Sequence, residues 1–431
     1  MNMKIVAIII AALIFLPSIY AFDEKEVEIK AAIYFSNIER FADEIRIAID
    51  YSWEVNGIKY RIKPEIVNKH DVLNGKLSNF DVFIIPGSGR HYFDALLPEW
   101  RRNVREFIAS GGGYVGICGG ANLASMGFGK GAGINELLGV GALKIANVYV
   151  NDEQEEEWQY LWKSNWEYGG IPLRLYIPES EVPIFDGFYG GYINMRYWGG
   201  PGMYNATFNE PLLGKVIPLA IYAEEPMEVA PLHYWKWRDG EWYPYMNVTT
   251  DIKGQFAAVA SNYGEGRIVI FGPHPEKATF FDGYVREFPV RPYMGRFTWF
   301  IYEWTGNKSN VSYNWWVLRR SVAWAAGLGK EEMPYASQIA ACIEKPGRGI
   351  FFDGRKIFDA TKYRIYIGDI TFDGYGIQCE KLLLYIDNEP FMEGKNRISA
   401  RISLPRGWHK LRMVAVGGKE EAGDETTILS L

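Results

Sequence analysis

The 431-residue chain reads as α/β: a doubly wound, mostly parallel sheet carrying an aromatic-rich insert, followed by a small all-β sandwich. Three observations predict this. From residue 30 to about 147, short apolar runs alternate with segments of helical periodicity. Between about 148 and 254 that alternation is lost and tryptophans and tyrosines crowd in. Beyond residue 330, strand-length apolar runs recur at close spacing with turn residues between them, the pattern of a sandwich.

The chain opens with Lys4, an apolar run over 5–16, then Pro17, Ser18 and Ala21 before the charged stretch 23–26. A basic start, an apolar run too short to span a bilayer comfortably and a small residue at the cleavage point predict a signal peptide over 1–21; an uncleaved membrane anchor is the alternative. Either way the mature chain, from near Phe22, is expected to be extracytoplasmic. Four Asn-x-Ser/Thr sequons, at Asn205, Asn247, Asn307 and Asn310, agree with a secreted glycoprotein surface.

The α/β domain is expected over 22–330. Residues 31–35 read as a first buried strand, 38–53 as a helix, and 60–67 as a second strand bent at Pro64. Residues 81–85 form a third strand running into Pro-Gly-Ser-Gly at 86–89. A helix over 98–110 stops at three glycines, and the strand 113–117 ends at Cys118. This β-α-β order puts ligands at the C-terminal ends of parallel strands, where Ser88 and Cys118 stand. Residues 257–262 and 267–271 predict a hairpin that carries His274 back to the sheet, and a helix near 315–327 closes the domain. In the insert, Trp158, Trp162, Trp166, Trp198, Trp235, Trp237 and Trp242 build a compact core or cover the sheet; the competing reading is a surface that stacks on sugars or grips peptide side chains. Residues 331–431 hold strand candidates at 350–352, 364–367, 381–386 and 410–416, a separable module without catalytic groups.

The chemistry concentrates in two motifs. Gly-Ile-Cys-Gly-Gly at 116–120 lies between a buried strand and a helix start, the arrangement of a nucleophile elbow. There Cys118 takes strained backbone geometry, and crowding requires small residues two before and two after it, as Gly116 and Gly120 are. Gly-Pro-His-Pro-Glu at 272–276 supplies a candidate base, His274, with Glu276 placed to orient it. Backbone N–H groups of Gly119 and of Ser88 or Gly89 are the candidates for an oxyanion hole. Three cysteines in an exported chain suggest a Cys342–Cys379 disulfide, leaving Cys118 as the reactive thiol.

Both motifs resemble the class I glutamine amidotransferase-like superfamily, a flavodoxin-like fold. That resemblance, and not spacing, implies that Cys118 and His274 meet; it also carries the oxyanion role to Gly87, Ser88 and Gly89. Within the superfamily, Ile-Ile-Pro-Gly-Ser-Gly-Arg-His-Tyr at 84–92, Phe-Ile-Ala-Ser-Gly-Gly-Gly-Tyr-Val-Gly-Ile-Cys-Gly-Gly at 107–120 and Tyr-Trp-Gly-Gly-Pro at 197–201 are most similar to the N-terminal domain of biotin-protein ligases, over roughly 28–328. The Gly-Arg-Gly-Arg-x-Gly biotinyl-adenylate loop is absent, so biotin ligation is not implied. Residues 404–416 resemble the late strands of immunoglobulin-like modules on secreted enzymes, with His409 in a structural role.

These readings imply an exported cysteine hydrolase that cleaves a small-molecule or peptide-like amide through an acyl-enzyme, or, alternatively, a non-catalytic module gripping a surface glycan or protein. A net charge of -6 without a Lys/Arg stripe gives no footprint for nucleic acid. No cofactor is expected. His70, His91 and His233 lack metal-ligand spacing, and the acidic run 152–157 reads as a solvated loop or helix start.

Overall fold

The computed structural model describes residues 26–35, 39–87, 91–130, 139–152, 154–165, 169–290, 298–359 and 363–431. The predicted signal segment, Ser88, Gly89 and Trp166 lie outside them. The architecture is mixed α/β around a large, mostly parallel central sheet, with antiparallel strands at the C-terminal end of the chain.

Five strands lead the chain: β1 (Glu26–Tyr34), β2 (Tyr51–Val55), β3 (Ile58–Val67), β4 (Val82–Ile85) and β5 (Gly113–Ile117). β3, β1, β4 and β5 are parallel neighbours, and Gly266–Phe271 adds a fifth parallel strand beside β5. Phe256–Tyr263 then turns the sheet antiparallel through a hairpin, followed by Ile217–Tyr222, Ile171–Tyr176 and Tyr192–Tyr197. β4 and β5 are buried along their whole length, as a parallel strand covered on both faces must be. Period-2 alternation sorts their side chains. Ile33, Val82, Ile84 and Val115 pack with the helices Glu39–Ile49 and Trp315–Ala325, while Ala32, Phe83, Ile85 and Tyr114 pack with Pro98–Ala109 and Gly119–Ala124.

The helix expected over 38–53 is shorter, Glu39–Ile49, and residues 51–55 form β2. Tyr51, Ser52 and Trp53 suit a strand, and Asn56 and Gly57, both at positive φ, turn it back onto β3. The second partner of β2 lies far along the chain: Tyr51 pairs with Ala422 in the strand Glu420–Ser430. The central sheet therefore runs on into the C-terminal strands. An exposed β2 edge would be a template for aggregation, and Glu420–Ser430 covers it. Arg319, fully buried, crosses the same seam, donating to the carbonyls of Ala48 and Ile339 at 2.8 Å each.

Beyond the seam, Ala340–Lys345, Ile370–Ile377 and Arg397–Ile402 form a three-stranded antiparallel sheet. Ile370, Phe372 and Ile398 from it share one apolar cluster with Leu382, Leu384, Leu411 and Met413 from the facing strands. The Cys342–Cys379 bridge does not form; both cysteines are free. The register explains this. Cys342 pairs with Tyr375, whereas the sulfur of Cys379 packs against Gly376, the partner of Ala341, on the opposite face of that sheet. Burial pushes the Cys342 thiol up to about 12.

Candidate active site

Three adjacent parallel strands deliver the site. β4 ends before Gly87, β5 ends at Cys118, and Gly266–Phe271 ends three residues before His274; Ile85 is level with Gly116, and Ile117 with Phe271. Cys118 has φ 51° and ψ -104°, a region that L-residues rarely occupy, and its N–H donates to the Phe271 carbonyl at 2.6 Å. The crowding expected of an elbow is present. A Cβ on Gly116 would stand 2.7 Å from the Gly120 carbonyl oxygen, and one on Gly120 would run into the carbonyl of Ile85.

His274 and Glu276 sit in the same turn, both buried, with His274 Nδ1 2.8 Å from Glu276 Oε1. The turn is pinned at several points. His274 N–H donates to the Arg196 carbonyl at 2.8 Å, Trp315 Nε1 donates to the Glu276 carbonyl at 2.9 Å, and Ser312 Oγ donates to the Pro275 carbonyl at 2.7 Å. Burial by itself pulls an imidazole's pKa down; here the Glu276 carboxylate and the Cys118 sulfur outweigh it, and His274 is raised to about 9. Burial likewise pushes the Glu276 carboxyl up, but His274 holds it below the usual range.

Gly87 joins the two motifs. A Cβ there would meet His274 Cε1 at 2.5 Å and Cys118 Cβ at 3.1 Å, so this backbone lies directly over both side chains. The structure thus brings together Cys118, His274, Glu276 and Gly87, with Gly119 as the first residue of the following helix. An N–H in that position has no carbonyl four residues back to bond. His274 Nε2 is buried without a hydrogen-bond partner among the described residues. The imidazole therefore has one nitrogen committed to Glu276 and the other available.

Several neighbours were not singled out from sequence. Trp198 lies against the His274 ring, centroids 6.1 Å apart, with Arg196 beneath its indole at 5.2 Å. Gly200 in the same segment packs so closely on the Gly272 carbonyl that no side chain fits. Lys277, buried, pairs with Glu44 and stands 4.1 Å over the Phe41 ring. Burial lowers its pKa against the pull of Glu44 and Glu276. The Tyr-Trp-Gly-Gly-Pro string carried the only signal for this wall.

Other residues stand apart. His233 is paired with Glu287 at 2.6 Å, and His409 with Asp387 at 2.7 Å. The acidic run is not wholly solvated: Glu157 is fully buried, accepts from Asn151 Nδ2 at 2.9 Å and the Asp251 N–H at 3.2 Å, and is raised by burial to about 8. The insert's tryptophans divide. Trp158 and Trp198 are buried, Trp162 is exposed, and Trp235 stacks on Phe300 at 4.0 Å. Among the described residues no three His, Cys, Asp or Glu side chains are grouped to hold a metal ion.

Gly87, Cys118, His274 and Glu276, which the structure brings together, all fall within one family comparison. Residues 76–282 match the family described as biotin-protein ligase, N terminal. This segment belongs to that family. The match encloses Gly87, Cys118, His274 and Glu276 and is narrower than the resemblance over 28–328. No curated protein matches the chain in sequence. Among solved structures, the β-galactosidase of Bacillus circulans sp. alkalophilus is similar at 10% identity and a TM-score of 0.36, over 92% of this chain and 41% of the other. A ThuA-like protein of Parabacteroides merdae is similar at 13% identity and a TM-score of 0.33, over 70% of this chain and 91% of the other. The chain thus spans about two fifths of the galactosidase's length.

Proposed function

We propose that the chain is an exported cysteine-dependent hydrolase of amide C–N bonds, of amidase or peptidase type, acting through Cys118, His274 and Glu276. The observation that carries this reading is the His274 ring. One nitrogen is fixed by Glu276, the other is buried without a hydrogen-bond partner among the described residues, and the Cys118 sulfur is near enough to favour the imidazolium.

In the proposed reaction the Cys118 sulfur attacks the amide carbonyl carbon, and the N–H of Gly119 with donors from the 87–89 turn receives the negative charge on oxygen. Imidazolium His274 gives its proton to the leaving nitrogen as the C–N bond breaks, leaving a thioester on Cys118. His274, now neutral, takes a proton from water; the hydroxide adds to the thioester carbonyl, sulfur leaves as thiolate, a carboxylic acid departs, and the thiolate–imidazolium pair is restored. Glu276 orients the ring and favours its charged form throughout. Cys118 is only 8% exposed, which suits a slender reaching group such as a side-chain carboxamide better than a broad polypeptide surface.

The experiment is hydrolysis of a panel of carboxamides and short peptides, with trapping of the thioester on Cys118 by mass spectrometry. An acyl adduct that is absent from Cys118→Ala supports the reading. No adduct and no turnover across the panel removes it.

A further inference from the structure

Beside the helix Glu39–Ile49, on the seam between the α/β sheet and the C-terminal strands, is a cavity of about 380 Å³ that contains no part of the Cys118 site. Both halves of the chain line it. Arg46 comes from the helix, while Arg348, Arg364, Tyr363 and Trp408 come from the C-terminal part.

The three guanidiniums are not equivalent. Arg46 Nη2 meets Asp424 Oδ1 at 3.0 Å, and Arg348 Nη2 meets Asp43 Oδ2 at 2.6 Å. Arg364 donates to the backbone carbonyl of Pro346 at 3.2 Å and has no carboxylate partner among the described residues. Burial, and then the neighbouring Arg348, lower its pKa against the pull of Asp43 and Asp424, whose carboxylates are ion-paired with Arg348 and Arg46. Two polar atoms on lining residues, Arg46 Nη1 and Thr426 Oγ1, are buried without a hydrogen-bond partner among the described residues, where such groups are normally satisfied.

The same cavity carries two large aromatic rings that the fold leaves in water. Tyr363 and Trp408 are each 58% exposed and form an edge-to-face pair with centroids 6.2 Å apart. A ring with an apolar face and polar surroundings suits a partner that is itself apolar on one face and hydroxylated at its edge. A guanidinium fork without a carboxylate suits one that brings its own.

We propose that this cavity binds a saccharide unit bearing a carboxylate, its apolar face against Trp408 and Tyr363 and its carboxylate on Arg364. The Thr427 hydroxyl and the Asp43 and Glu425 carboxylates in the lining offer the mixed donors and acceptors that sugar hydroxyls need, and the two carboxylates disfavour a free inorganic anion, which has no hydroxyls to donate to them.

The test is calorimetric titration of the full mature chain with trigalacturonate, maltotriose and inorganic phosphate. Trigalacturonate is expected to bind, with maltotriose weaker by about tenfold, the worth of one charged hydrogen-bonded pair. Arg364→Gln and Trp408→Ala, both at the surface of the cavity, are each expected to weaken trigalacturonate by about tenfold while leaving Cys118 alkylation unchanged. Circular dichroism checks that they fold. No binding of trigalacturonate, equal binding of maltotriose, or an affinity that neither variant changes would overturn the proposal. Displacement by phosphate together with a silent Trp408→Ala would reduce the cavity to a simple anion site and overturn it as well. None of these outcomes bears on the amidase reading.

Discussion

Asp50 and Arg412 form a two-point ion pair across the seam, Nη1 to Oδ2 at 2.6 Å and Nη2 to Oδ1 at 2.9 Å, with both side chains largely buried. Asp50→Asn leaves the largely buried Arg412 with only Glu425, at 3.1 Å, as counter-charge, so it is expected to cost about 1–3 kcal/mol in urea unfolding, and adding Arg412→Gln to recover part of it. Truncation of 331–431 is expected to give insoluble chain, because it bares the β2 edge and the buried face of Arg319. A soluble, folded 22–330 fragment on size-exclusion chromatography would contradict the continuity of the sheet.

Gly87→Ala places a methyl group where His274 Cε1 stands, 2.5 Å from the new Cβ. The imidazole must move, so alkylation of Cys118 is expected to slow by about tenfold, with unfolding changed by no more than about 1–3 kcal/mol, the cost of local overpacking. Reactivity equal to that of the unsubstituted protein would show that the turn does not sit over the ring.

The elements around the site were legible because each is a short-range pattern. β5, the hairpin of 256–271 and the helix Pro98–Ala109 follow from period and punctuation within a dozen residues, and the elbow glycines announce their own crowding. What could not be read depends on partners distant in sequence. β2 was absorbed into a helix because its second partner lies about 370 residues on. The disulfide failed because two cysteines near in sequence fall on opposite faces of one sheet. Arg196 gives no local sign that it packs beside His274, and Trp198 is marked only by the Tyr-Trp-Gly-Gly-Pro string at 197–201, which does not say what the ring touches.

The His274–Glu276 pair makes stability depend on pH in a stated direction. His274 has a folded-state pKa of about 9 against an unfolded value near 6.5. Its contribution, about 3 kcal/mol, is fully present below about pH 6.5 and is lost as pH rises through about 9. Glu276, held low, contributes above the usual carboxylate range and is lost as pH falls through its own folded value. The stability difference between the unsubstituted protein and His274→Ala is therefore expected to be larger near about pH 6 than near about pH 9.5. A difference independent of pH in urea titrations would contradict the ion pair.

Export is expected to leave a chain that starts near Phe22. Mass spectrometry of the protein from its native source would find that terminus outside the cytoplasmic membrane. An intact Met1 on a cytosolic protein would overturn the exported reading.

Activation of Cys118 by His274 is decided by the pH profile of iodoacetamide alkylation at Cys118. Fast reaction is expected at neutral and mildly acidic pH. His274→Ala is expected to slow it by about tenfold or more and move its pH dependence upward, and Glu276→Ala to do so more weakly, because Glu276 acts through the ring. A profile like that of a free cysteine, unchanged by His274→Ala, would contradict the account.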